Sequence, residues 1–200
     1  MITPYKGKFK VSQIYKGATH KGMDLVGIDS KNIYSPVIGS VESVRVDTHY
    51  TGGMGLYIRI EEFTTGYKYY FAHLSDTNVK DGQVVAIGDK IGVEGSTGHS
   101  TGSHLHLEVR KSTNNTTFLD VSELSGIPNK LGTYEGGEDL TEAETRKIVA
   151  EMLQGKESEV SDWAKESWNK ATENGITDGE RPKGYATREE VITIIERCEK

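Results

Sequence analysis

The chain has 200 residues, of which 34% are hydrophobic and 27% charged, enough to bury a core in one or two domains. Its apolar runs are only a few residues long, which excludes a membrane-spanning helix, and "MITPYKGKFKV" lacks the apolar core and cleavage site of a secretory signal. The single cysteine, Cys198, excludes an internal disulfide, and a net charge of −6 argues against simple electrostatic adhesion to nucleic acid or anionic wall polymers.

The first part of the chain carries β-type signals. "GLYIRIEEF" alternates Leu56, Ile58 and Ile60 against Tyr57, Arg59 and Glu61, "GYKYYFAHL" is rich in aromatics, and "QVVAIGDKIGVEG" sets β-branched runs between Gly-Asp turns. Short, turn-punctuated strands without a helical period predict a mainly antiparallel sheet. In "HLHLEV" the alternation places His104, His106 and Glu108 on one strand face, with Leu105, Leu107 and Val109 turned to the interior.

Composition changes near residue 137. Residues 1–137 hold 14 Lys and Arg against 14 Asp and Glu, whereas residues 138–200 hold 10 against 16, so the whole negative charge belongs to the last third. Both tryptophans, Trp163 and Trp168, lie there too. "SGIPNKLGTYEGGED" has glycines and a proline but no periodicity, which reads as a linker. Beyond it three helices are expected. One opens on a capping box, Thr141 with Glu144, and closes on Gly155; one covers 161–174 before Gly175; one opens at Thr187 with Glu190 and repeats Val191, Ile194, Ile195 and Cys198. The expected organisation is a β domain over 1–125, a linker over 126–138 and a small all-α module over 139–200, with Cys198 on its apolar side.

Chemistry concentrates in the histidines. His49 and His99 read as ordinary loop residues. His104 and His106 stand two strand rises, or about 7 Å, apart on one face, close enough for one imidazole to bind a metal and the other to stand beside it. "THKGMDL" adds His20 and Asp24 around a glycine that lets the backbone turn, and "YYFAHLS" adds His73. One carboxylate and several imidazoles suit a borderline metal such as zinc, whose catalytic sites use three protein ligands and one open position. The chain has no H-E-x-x-H helix, so a helix-built zinc protease is excluded.

"HKGMD", "YFAHLS" and "GDKIGVEGSTGHSTGSHLHLEV" resemble the zinc endopeptidases of the lysostaphin and LytM type, which cut peptide crosslinks in bacterial peptidoglycan; the resemblance spans roughly residues 12–122. It implies His20, Asp24 and His106 as ligands of one Zn2+ per chain, His73 and His104 as non-ligand catalytic histidines, and a small antiparallel β-sheet groove. Which of His73 and His104 is the base and which the oxyanion donor stays open. Tyr15 stands where an accessory tyrosine near the oxyanion is implied, and a packing role is equally open to it. Leu107 replaces the usual aromatic after the H-x-H pair, and Leu56 follows Gly55 where asparagine is common.

"SDWAKESWNKATENGITDGERPKGYATREEV" is similar to a single S-layer-homology repeat, a module that holds proteins on secondary polysaccharides of Gram-positive walls. That similarity makes Trp163 and Arg188 candidate contacts for an anionic sugar, with Trp168 in the helical mini-core. A catalytic domain, a linker and a wall module without a signal resemble a phage or prophage endolysin, made in the cytoplasm and acting on the wall after release. Rival readings are a carrier or adaptor built on the same β scaffold, for which no Met-Lys-Met-like turn is present, and a non-catalytic wall binder, for which no ligand is missing.

Overall fold

The structure is a computed structural model that describes residues 3–47, 53–111 and 114–137, all within one unit, Met1–Leu140. The expected helical module over 139–200, with Trp163, Trp168, Arg188 and Cys198, lies outside the described residues, as does His49.

Twelve strands are present among the described residues: β1 (Gly7–Gln13), β2 (Met23–Gly27), β3 (Asn32–Tyr34), β4 (Gly39–Asp47), β5 (Gly55–Glu62), β6 (Lys68–Leu74), β7 (Asp76–Thr77), β8 (Val84–Val85), β9 (Lys90–Val93), β10 (Leu105–Lys111), β11 (Asn114–Leu119) and β12 (Gly132–Gly136). One helical turn, α1 (Val121–Ser125), starts on Asp120, whose side chain accepts from the Ser122 amide, and ends on Gly126 at φ 69°. Nine strands form one sheet in the order β12-β1-β2-β10-β6-β5-β4-β8, with β11 also on β10, while β3, β9 and β7 form a second. Every pairing is antiparallel, as the alternation predicts.

β10 organises the large sheet. Its first residues pair with β2 and its last with β11 along one edge, while β6 runs along the other. Leu105, Leu107 and Val109 are fully buried, and they join Phe9, Leu25, Ile58, Ile60 and Phe71 in the core. The opposite face of β10 carries His106 and Arg110, both half-buried, with Glu108 buried between them, and all three line the cleft. β6 does not alternate in burial: Tyr69 to Leu74 are all buried, so its side chains are covered on both faces.

Of the stretch expected as a linker, 126–138, residues 126–137 are part of this fold. Ile127 is fully buried, and β12 pairs with β1 from Gly7↔Gly136 to Val11↔Gly132, supplying hydrogen-bond partners to an edge that would otherwise be bare. Tyr134 contributes the packing, with its ring centroid 6.1 Å from that of Phe9. Among the described residues no helix is long and apolar enough to cross a membrane.

Candidate metal centre and active site

Strand register brings the first two groups together. Asp24 on β2 is paired with His106 on β10, so both side chains leave the same face of the sheet. His20 reaches the same point from the short 3-10 turn Gly17–Thr19 that precedes β2. Gly22 lies between them because the segment presses on β10. A Cβ there would come 2.4 Å from the Leu107 carbonyl oxygen and 2.9 Å from the His106 ring.

The three side chains form a cluster whose ligand atoms all lie within 4.8 Å of one another. Asp24 Oδ1 is 2.8 Å from His106 Nδ1 and 3.1 Å from His20 Nε2. His20 donates from Nδ1 to the Ile14 carbonyl at 2.7 Å, which leaves Nε2 as its ligand atom. His106 presents Nδ1 instead, with Nε2 3.6 Å from Glu108 Oε2, and Arg110 clamps that carboxylate. Two imidazole nitrogens and one carboxylate oxygen, converging on one side only, fit a zinc-type ion with one position left open.

Charges in the cluster are strongly coupled. Burial pushes the Asp24 carboxyl up, but hydrogen bonds from His106 and His20 outweigh it and hold the group far below the ordinary carboxylate range. Burial works to lower the pKa of His106, and the bonds to Asp24 and Glu108 raise it to about 9. The bond to Asp24 likewise raises His20.

His73 and His104 face this cluster, with ring centroids 4.7 Å apart, and His73 lies 6.0 Å from the His106 ring. His104 sits one residue before β10, held by a bond from its amide to the Gly95 carbonyl at 3.0 Å. Its Nδ1 donates to the Gly102 carbonyl at 2.8 Å, and its Nε2 is 3.9 Å from Asp24 Oδ1. His73 donates from Nδ1 to the Thr97 carbonyl at 2.8 Å. Each ring therefore keeps Nε2 for the cleft. His73 has φ 63°, an unfavourable region for a non-glycine residue, and its amide donates to the Met54 carbonyl at 2.8 Å. Burial lowers the pKa of His73, which favours its neutral form.

All five predicted residues line one open cleft of about 530 Å³. His99, read from the sequence as an ordinary loop residue, also lines it, with its amide held by the Gly53 carbonyl at 2.9 Å. Tyr15 is not among the described lining residues; its hydroxyl donates to the Phe118 carbonyl at 3.4 Å. Sequence reasoning missed the carbonyls of Ile14, Thr97 and Gly102, since a main-chain acceptor leaves no mark on residue type. It also passed over Glu108, 2% exposed beside His106, although its place in "HLHLEV" marks it as a neighbour.

The family model for "Peptidase family M23" matches residues 18–118. The chain is 36% identical over 115 residues to peptidoglycan DD-endopeptidase ShyA of Vibrio cholerae, covering 56% of this chain and 26% of that protein. It is 38% identical over 94 residues to lysostaphin of Staphylococcus simulans, covering 46% and 18%. Among solved structures, the catalytic domain of the prophage-encoded M23 protein EnpA of Enterococcus faecalis superposes with a TM-score of 0.50 at 25% identity, over 60% of this chain and 94% of that one. The matches span between 18% and 30% of the length of the first three curated relatives. With the converging His20, Asp24 and His106 inside the matched segment, and that segment covering half of its length, the chain belongs to peptidase family M23.

Proposed function

We propose that the chain is a zinc-dependent endopeptidase that hydrolyses peptide bonds in the crosslinks or bridges of bacterial peptidoglycan. The observation that carries this reading is the placing of two non-ligand imidazoles, His73 and His104, directly beside a His-Asp-His cluster in one open cleft. Zinc held by His20, Asp24 and His106 would supply a Lewis acid that polarises the scissile carbonyl and acidifies a water. Among the described residues that line the cleft, the carboxylate besides Asp24 is Glu108, and it is buried and engaged by Arg110. Proton transfer therefore falls to the imidazoles. One accepts the proton of the attacking water at Nε2; the other, carrying a proton on both nitrogens, donates from Nε2 to the developing oxyanion, and each ring is held by a bond from Nδ1 to a main-chain carbonyl.

The relatives support the substrate. ShyA is a peptidoglycan DD-endopeptidase, and a further relative, from Staphylococcus capitis, is a glycyl-glycine endopeptidase at 35% identity over 106 residues. We propose further that the chain acts as a phage or prophage endolysin, made in the cytoplasm and reaching the wall on release, a role supported by its similarity to the prophage-encoded EnpA domain. Trp163 and Arg188 are proposed to contact a secondary wall polysaccharide. Zymography on purified walls tests the enzymatic reading: the protein should clear the substrate with zinc and fail with a chelator. Clearing that survives complete metal removal would overturn it, and so would a zinc-loaded chain that clears nothing.

A further inference from the structure

Glu94 is a carboxylate with a fully buried side chain that does not line the cleft. It directly follows β9 and opens the loop 95–103. Its Oε1 accepts from Lys31 Nζ at 2.7 Å and Ser103 Oγ at 2.6 Å, and its Oε2 accepts from Tyr5 Oη at 2.5 Å and the Gly27 amide at 2.7 Å. A buried carboxylate is tolerated only when its oxygens are satisfied, and here four donors satisfy them. Burial pushes the carboxyl up, yet these donors, Lys31 foremost, hold it below its ordinary value. Burial and the neighbouring Glu94 charge raise the Tyr5 phenol well above 10, so it remains a donor.

The placing of these donors relates Glu94 to the cleft. Glu94 and Ser103 stand at the two ends of the loop, and beside their bond is the backbone bond from His104 to Gly95. Within the loop lie Thr97, whose carbonyl holds His73, and Gly102, whose carbonyl holds His104. The second oxygen is fastened to Tyr5 and to Gly27, the last residue of β2, the strand that carries Asp24. One carboxylate therefore joins the loop that orients both non-ligand imidazoles to the strand that bears a metal ligand.

We propose that Glu94 is a positioning residue for the cleft, which closes the base of the 95–103 loop through Ser103 and so fixes His73 and His104 relative to Asp24. The kinetic consequence rests on the endopeptidase reading, while the structural one does not. Ser103 is exposed, so Ser103→Ala removes the tie without opening the core.

The test uses the full zinc-loaded chain and its Ser103→Ala, Ser103→Thr and Lys31→Gln variants, measuring cleavage of purified crosslinked muropeptides, zinc content and hydrogen exchange at the His104 amide. Misplacing a catalytic group by about 1 Å costs on the order of 100-fold. Ser103→Ala should therefore lower kcat by roughly 10- to 100-fold, with KM and zinc content unchanged and faster His104 exchange. Ser103→Thr should restore both kcat and exchange. Lys31→Gln, which leaves the Ser103 bond in place, should lower Tm and spare kcat. Wild-type kcat and exchange in Ser103→Ala would overturn the proposal, as would an equal loss of kcat in Lys31→Gln. Should the wild-type chain cleave no muropeptide, the peptidase reading fails alone, and the exchange comparison still decides whether the tie exists.

Discussion

Asp24 is the charge around which the other site groups are arranged, and removing it affects more than one ligand bond. Asp24→Ala and His106→Ala should each abolish zinc binding and wall lysis together, measured by metal analysis and zymography. His104→Ala should keep zinc and lose lysis, with kcat down by roughly 100- to 10,000-fold, the usual worth of a positioned acid or base. Full activity in a metal-retaining His104→Ala chain would refute that division of roles. The pH dependence of the metal-free protein follows from the same pair. His106 has a folded pKa of about 9 against an ordinary 6.5, so its contribution to stability is full below pH 6.5 and is lost as pH rises through about 9. Asp24 is depressed below its ordinary 3.8, so its contribution is present above that value and is lost as pH falls beneath it. Thermal melts of the metal-free chain should show Tm falling between pH 6.5 and 9. Zinc must displace the proton on His106, so zinc affinity should rise over the same window, in titrations with a competing chelator. Much of this site was legible at residue level: His104 and His106 share a face because strand alternation is geometric, and the convergence of His20 with Asp24 needs the glycine seen between them. The partners of the rings were not legible, because they are carbonyl oxygens contributed by Ile14, Thr97 and Gly102.

Elements were legible wherever one face is buried and the other open. β5 and β10 follow the alternation read from them, while β6, covered on both faces, shows only as an aromatic run. The strand β12 escaped recognition for a physical reason. It is an edge strand of five residues with glycine at both ends and Thr133 and Glu135 exposed, so its sequence carries turn signals and almost no apolar period. Its role is nonetheless testable by truncation. A chain ending at Ser125 loses Ile127 and bares β1, and it should unfold or aggregate, whereas a chain ending at Leu140 should keep a cooperative melt. Ile127→Ala alone should cost about 2–5 kcal/mol, measured by denaturant unfolding. A melt unchanged by the Ser125 truncation would show that β12 adds nothing to the sheet.

At the scale of the whole molecule, neutral and acidic parts divide the labour proposed for them. The excess of acid in 138–200 leaves attachment to an anionic wall dependent on specific contacts rather than bulk charge. In the full chain, Trp163→Ala with Arg188→Ala should therefore reduce pelleting with intact walls while leaving the cleavage of soluble muropeptides unchanged; equal pelleting would remove the wall-contact role. The main-chain acceptors of the three histidines also set how this chain tolerates change. An acceptor that belongs to the backbone survives replacement of its own side chain, so Gly102→Ala, at a position open to solvent, should retain activity. Inserting one residue between Gly98 and Thr101 should abolish it, because the carbonyls of Thr97 and Gly102 would no longer keep their spacing. The chemistry is thus guarded by the length of this loop, because that length sets the spacing of the two carbonyls that hold His73 and His104.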